Sequence, residues 1–469
     1  MSKKKRKSKA PAPLASRSHA AKAVRASSLD SVSYSTDDAD YWMFATNATS
    51  NEIASTTARH EARKRCRYQY LSDPYVMNMT RTLAVTVVGI GAKIQIVAVN
   101  GRQNDERFEE VENRFELWAQ SIRLHETIAL MVRALVYDGE SFLRFVRNPK
   151  ALQGVSVDLI DAARVTSGWP TIRNDLELDG IRFDRYGNPV EYTVISRVIN
   201  PNYQNFADFD TIPADEIFHF FMKDLPEQHR GLPLLQSSLK TMAALKRYMM
   251  AVVEAAETAA CHAFIIESQT LPETESPEIW DAMDEVSAPR RGGTVLPRGW
   301  KGSQLKPEQP STQYAEFIAT VLTQAGAGLG EPRNISTNDS SSYNYSSGRL
   351  DHQVFFRYVE TIQAIVKHLY VFVFRWWYQF DEVSQTLLDV SDPKLFELDW
   401  YFAELTHVDP LKEAETAIKL KDAELLTDSE YYGKFGQDWL KQYKQLAEEK
   451  AMREKLGINT DPPKENNNA

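Results

Sequence analysis

Cysteine is almost absent: Cys66 and Cys261 are the only two in the chain, and they lie far apart. That excludes a disulfide framework and a paired-thiolate zinc site, and it suits a reducing compartment. Neither is a strong candidate nucleophile. Long hydrophobic runs are also missing. The most apolar stretch, LYVFVFRWW at 369–377, is interrupted by Arg375 and preceded by Lys367 and His368. It falls short of the roughly 18 to 20 apolar residues that a bilayer span requires, so no membrane partner is expected. The amino terminus, MSKKKRKSKAPAPLASR, has no apolar core segment, and export is not expected.

The signatures of common catalytic devices are missing as well. No G-x-x-x-x-G-K-[ST] is present, which argues against nucleotide hydrolysis of the ATP-driven motor kind. The nine histidines (19, 60, 125, 219, 229, 262, 352, 368 and 407) are scattered, with no H-E-x-x-H and no paired Cys-His spacing, so no metal and no cofactor is expected. GAGLGE at 326–331 resembles a dinucleotide fingerprint only superficially, because its glycines come at the end of a helical pattern. Asp351-His352 near Ser346 and Ser347 suggests a nucleophile, yet no third residue or oxyanion hole can be placed. A solvated helix start fits better, and no catalytic residue is assigned.

What remains is a large, acidic body with a basic start. Of 469 residues, 43% are hydrophobic and 11% aromatic, enough for a sizeable core in more than one subdomain. Nine Lys or Arg and no acid precede Asp30, leaving 46 basic against 64 acidic residues for the rest. Such a tail either binds nucleic acid or simply solubilises; its composition, without periodicity, predicts disorder over 1–57.

Periodicity predicts helices at 58–71, from Asp73-Pro74 to Gly89, at 105–120 and at 128–137, with a strand at 93–99. RYGNP between alternating segments at 180–195 predicts a hairpin, since Gly187 and Asn188 tolerate positive φ. From Leu232 a run of roughly thirty residues, on the order of 40 Å if helical, carries an apolar stripe of Leu239, Met242, Leu245, Met249, Val252 and Val253, Ala256 and Ala260. That stripe is expected to pack against copies of itself. The segment 265–310 has six prolines and reads as an excursion before a second helix at 313–328.

A long helix is expected from 349 to 380, with Val354, Phe355, Tyr358, Ile362, Ile365, Leu369, Phe372 and Trp376 as its main stripe. Charged helices follow Asp409-Pro410. The fold class is α+β, mainly helical.

Just before the long helix stands PRNISTNDSSSYNYSSGR, 332–349, rich in hydroxyls and amides. Composition leaves open that these residues only cap the following helix.

Four stretches resemble the lambda-like portal proteins of tailed double-stranded DNA phages: NMTRTLAVTVVGIGAKI (78–94), IPADEIFHFFMKDLPEQHRGLPLL (212–235), TQAGAGLGEPRNIST (323–337) and SSSYNYSSGRLDHQVFFR (340–357). The last two are the most specific. The resemblance spans 60 to about 400; LGEP before Arg333 departs from it, where a more apolar stretch is expected.

The resemblance implies a portal fold with long helices lining a ring channel. Its parts would be a wing (58–230, returning at 381–408), two stem helices (231–262 and 311–330), a clip (263–310), a tunnel loop (331–347), the long helix (348–380), crown helices (409–456) and a tail (457–469). It implies a homo-oligomeric ring, commonly of twelve subunits, through which genome packaging and ejection pass. Implied partners are double-stranded DNA, the terminase large subunit, head completion or adaptor proteins, and major capsid and scaffold proteins. The place is the virion's portal vertex, after assembly in the host cytoplasm.

Asn334, Asn338, Asp339, Ser340, Ser341, Ser342, Tyr343, Asn344 and Tyr345 would face DNA. Arg349 would touch it or pair with an acid of the adjoining subunit. Two other readings stay open on the residues alone: a minor capsid or scaffold-interacting protein without a channel, and a virion maturation enzyme.

Overall fold

The computed structural model describes residues 56–98, 106–167, 176–196, 208–261, 265–268, 300–303, 314–341, 343–388, 396–402, 410–435, 437 and 439–458. The expected tail at 1–57 lies outside the described residues except for its last two, most of the clip at 263–310 lies outside them, and so does the tail from 459 on.

Helix α1 (Thr56–Ser72) leads to Asp73, whose carboxylate accepts from the backbone N–H groups of Tyr75 and Val76 at 2.9 and 3.3 Å. It thereby caps α2 (Pro74–Val88), where Pro74 occupies a first-turn position that needs no donor, and Gly89 ends the helix. Strand β1 (Lys93–Ala98) and helices α3 (Glu106–Ser121) and α4 (Leu124–Tyr137) follow. Cys66 is a free, buried core residue, and burial pushes its thiol up to about 12.

The core forms around the longest helix, α8 (Tyr345–Tyr378, 34 residues). It buries Phe355, Val359, Ile362, Val366, Leu369, Tyr370, Val373, Phe374 and Trp377. That register corrects the expected stripe: Val354 is 63% exposed and Tyr358, Ile365, Phe372 and Trp376 only flank the core. The helix is apolar on several faces, so its own periodicity does not say which face is covered.

Phe115 of α3 is the hub of an aromatic cluster, with ring centroids 5.3 Å from both Phe374 and Trp377 and 5.7 Å from Trp118 and Trp400. Trp400 belongs to β11 (Phe396–Tyr401), which pairs antiparallel with β1 from Lys93↔Tyr401 to Ala98↔Phe396. Distant parts of the chain are thus joined in one ladder. Helix α9 (Glu382–Leu387) is fixed beside it by Asp381, which accepts two hydrogen bonds from Arg114 at 2.8 and 2.5 Å.

Two further sheets follow, and between them Phe142, Ile160, Ile181, Tyr192, Val194 and Ile212 form a second, smaller apolar cluster. Strands β2 (Glu140–Arg147), β3 (Val155–Ile160) and β8 (Ile217–Phe221) form one, in the order β3-β2-β8. Strands β4 (Glu177–Leu178), β5 (Ile181–Phe183), β6 (Pro189–Ile195) and β7 (Phe209–Pro213) form the other. In the β5–β6 turn only Gly187 uses positive φ, at 84°. Asn188 instead donates to the Asp184 carboxylate, and β5 and β6 pair antiparallel as the expected hairpin.

Sheets and helices are tied by a buried charge network. Glu140, fully buried, accepts from Arg63 at 2.9 Å, from Arg230 at 2.6 to 3.1 Å, from His219 at 3.1 Å and from the Gly231 N–H at 2.9 Å. Arg59 and Arg230 pair with Asp179, and Arg67 makes two bonds to Asp138. Burial works to raise the Glu140 pKa, but the charge of Arg230 and the hydrogen bonds from His219 and Arg230 outweigh it and hold the carboxyl well below its usual range.

After a 3-10 turn at Leu234–Ser238, α5 (Leu239–Cys261) runs beside α6 (Tyr314–Ala327), with the Tyr248 and Phe317 rings 4.7 Å apart. Between them β9 (Ile265–Ser268) and β10 (Trp300–Ser303) pair antiparallel. Of the expected inter-subunit stripe, Met242, Leu245 and Val252 are buried inside the chain itself, Leu239, Met249 and Ala256 are half-buried, and Val253 is exposed. The most apolar face of an amphipathic helix goes first to the nearest core.

Helices α10 (Pro410–Asp422), α11 (Asp428–Lys434) and α12 (Trp439–Lys455) close the chain, and Lys444 reaches Glu109 of α3 at 2.7 Å. Asp409, the expected cap of α10, lies outside the described residues. Among the described residues no helix is long and apolar enough to cross a membrane.

Candidate functional site

The hydroxyl-rich stretch connects α6 to α8. Helix α6 stops at Ala327, and the glycines after it turn the chain: Gly330 has φ of +70°, and the Leu329 and Glu331 N–H groups both donate to the Gly326 carbonyl, at 2.9 and 3.0 Å. Pro332 then introduces a single-turn helix, α7 (Arg333–Thr337), whose far end is Asn338 in the left-handed region at φ of 55°. The expected loop of 331–347 therefore contains a helix. The sequence has a signal for it: Pro332 followed by Thr337-Asn338 is a plausible start and stop.

At the other end Asn344 caps α8. Its side chain accepts from the Ser347 N–H at 2.8 Å, while Ser347 Oγ accepts from the Asn344 N–H at 3.2 Å. This reciprocal pair moves the helix start to Tyr345, earlier than the expected 349. Tyr343 packs over Gly348 and donates its hydroxyl to Asp351 at 3.0 Å. Asp351 is thus engaged with Tyr343, and His352 faces the Asn334 amide, Nε2 to Nδ2 at 3.0 Å. Ser347 is spent on the cap, so Asp351, His352 and Ser347 are each engaged with a different partner.

The other predicted residues divide by exposure. Asn338, Asp339, Ser340, Ser341, Asn344 and Arg349 are exposed, while Asn334 and Tyr343 are half-buried. Ser342 lies outside the described residues, as does the side chain of Tyr345. Asp339 accepts from the Ser341 N–H at 2.8 Å and from Ser341 Oγ at 3.0 Å, and these bonds lower its pKa. The result is a short outward-facing segment, anchored at both ends, that presents hydroxyls and amides with one internally bonded carboxylate.

A residue that sequence reasoning missed stands at the base of this segment. Glu331 is 5% exposed, neither carboxylate oxygen has a hydrogen-bond partner among the described residues, and burial pushes its pKa up to about 9. A charged residue beside proline in a turn reads as a surface position. Only the packing of Tyr358 of α8 against Gly330 reveals otherwise.

No curated protein matches the chain. Among solved structures it is similar to a chain described as "Neck of native GTA particle computed with C12 symmetry", at 15% identity and a TM-score of 0.48 over 78% of this chain and 90% of that one. It is also similar to a chain of the neck of an empty GTA particle with C6 symmetry, at 14% identity and a TM-score of 0.48 over 79% and 92%. A third is from the virion of a native gene transfer agent particle, at 14% identity and a TM-score of 0.47 over 78% and 91%. The family described as phage portal protein, lambda family, matches residues 36–363, well over half of the sequence. The chain belongs to that family of portal proteins, which form a ring at a capsid vertex.

Proposed function

We propose that the segment 331–347 lines the channel of the portal ring and makes weak, neutral contacts with duplex DNA during packaging and ejection. The observation that supports it is the exposure of Asn338, Ser340, Ser341 and Asn344 on a segment held by α7 on one side and the α8 cap on the other. Duplex DNA carries one charge per roughly 1.7 Å, so a lysine-rich wall would grip it and release it slowly. Neutral hydrogen bonds, at about 0.5 to 1.5 kcal/mol net, are made and broken as the polymer passes.

The rest of the portal anatomy follows on the same reading. The β1–β11 ladder supports a wing built from 58–230 and 381–408, and the α5–α6 contact supports a two-helix stem. The β9–β10 pair supports a clip at 263–310 that would meet the terminase large subunit and later the head completion or adaptor proteins. Residues 409–456 would form the crown. Capsid and scaffold proteins would contact the wing, the ring would hold twelve subunits, and assembly would take place in the host cytoplasm. The role is structural and not enzymatic; the separate engagements of Asp351, His352 and Ser347 support this.

The part of the stem that its own chain leaves exposed would make the contact between subunits. Met250 and Val253 are 55% and 53% exposed beside a groove of about 490 Å³ between α5 and the α1–α2 junction, and Phe317 of α6 is 43% exposed. Such a side face meets a different face of the neighbour, as ring closure requires.

The test is lysine at Ser340 and Ser341 in a packaging assay. Rings should form normally and show a pore wide enough for a duplex by electron microscopy. Packaging should slow, with a steeper dependence on salt. Normal packaging rate and unchanged salt dependence would remove the loop from the channel.

A further inference from the structure

Among the described residues Glu331 is a buried acid without a counter-charge. Its backbone is fixed by the bond to Gly326, and the Tyr358 ring covers the adjoining Gly330, where a Cβ would lie 2.6 Å from the ring. From α8 the titratable group that faces it is Tyr358, whose hydroxyl is pushed up by burial, then by Asp224 and by Glu331 itself. Asp224 follows β8 and is also an acid. On its own segment Arg333 is exposed, and Asn334, whose side-chain oxygen is buried and unpartnered, turns its amide to His352. An ionised carboxylate here would be buried with neither a cation nor a donor, so the group stays protonated at neutral pH.

We propose that Glu331 is a proton-operated latch for the channel-facing segment: the segment packs down with the carboxyl protonated and lifts with it ionised. The biological consequence rests on the channel reading above, whereas the chemistry does not. The packed state binds the proton and the lifted state releases it. Packing is therefore favoured as pH falls and lost progressively as pH rises from the ordinary carboxylate range towards about 9. Each ring subunit contributes one latch. A lifted segment adds a negative charge to the wall, which repels phosphate and loosens contact with the polymer.

Hydrogen exchange on the full-length assembled protein tests this. Wild type and Glu331→Gln are compared at matched pH between about 6.5 and 8.5, a window above the His352 titration, which burial holds below its usual value. Peptides covering 326–338 contain the amides of Leu329, Glu331, Ile335 and Ser336, all bonded in the packed state. Base-catalysed intrinsic exchange is the same in both proteins and cancels in the ratio. The wild-type-to-variant ratio should rise about tenfold per pH unit, while peptides from the buried part of α8 stay at unity. Glu331→Met, neutral and apolar, should match Glu331→Gln.

A ratio that does not change with pH, or the same rise in the α8 control peptides, would overturn the latch. Neither result bears on the lysine packaging test. Conversely, normal packaging with Ser340 and Ser341 replaced would remove the channel reading while leaving the exchange result standing.

Discussion

Replacing Glu140 with leucine removes the acceptor on which α1, β8 and the turn before the stem converge. Four donors lose their partner: the guanidinium groups of Arg63 and Arg230, the His219 ring and the Gly231 N–H. Arg230 keeps its contacts with Asp179 and the Val165 carbonyl, but Arg63 and Arg230 are 3% and 1% exposed and cannot turn to water. Removing one member of a buried ion pair costs about 3 to 5 kcal/mol, mostly as the penalty on the charge left behind. Glu140→Gln should cost nearly as much, because its amide nitrogen presents donors to donors.

Urea unfolding of the subunit, followed by the fluorescence of the clustered Trp118, Trp377 and Trp400, measures the loss. Arg230→Met should be costly alone, yet the double variant with Glu140→Gln should recover on the order of 2 kcal/mol of the summed losses. The pH dependence has a defined sign. Glu140 is held below its ordinary value, and His219 is lowered by burial, only partly offset by Glu140. Both contributions are present above the ordinary pKa values and fade as pH falls through them, so Glu140→Gln should flatten the acid limb of the stability profile. A loss under about 1 kcal/mol for Glu140→Leu, or additive costs in the double variant, would refute a closed, desolvated network.

Val253→Glu should leave the subunit's stability within about 0.5 kcal/mol, because the site is half exposed, but should prevent ring closure by native mass spectrometry; intact rings would reassign the subunit contact. Asn344→Ala should cost about 1 kcal/mol and raise exchange of the first α8 amides roughly fivefold, whereas unchanged exchange would mean that the capping bonds contribute nothing.

Much of the helical layout was legible along the chain. Asp73-Pro74, Gly89 and the three- and four-residue spacing of α3 mark elements whose ends depend on neighbours in sequence, so local chemistry suffices to place them. The Asn-Tyr-Ser-Ser-Gly-Arg series likewise marked the start of the long helix, although the Asn344–Ser347 cap shifted it to Tyr345. Tertiary packing alone decided which face of α8 is covered, which residues of the α5 stripe are buried, and that Glu331 is buried. Each of these depends on what another part of the chain brings opposite: the aromatic cluster for α8, α6 for α5, and Tyr358 for the turn at Gly330. Periodicity states that a face is apolar and residue type states that a group is charged. Desolvation, which sets the protonation of Glu331 and the strength of the Glu140 network, exists only once distant segments have closed over them.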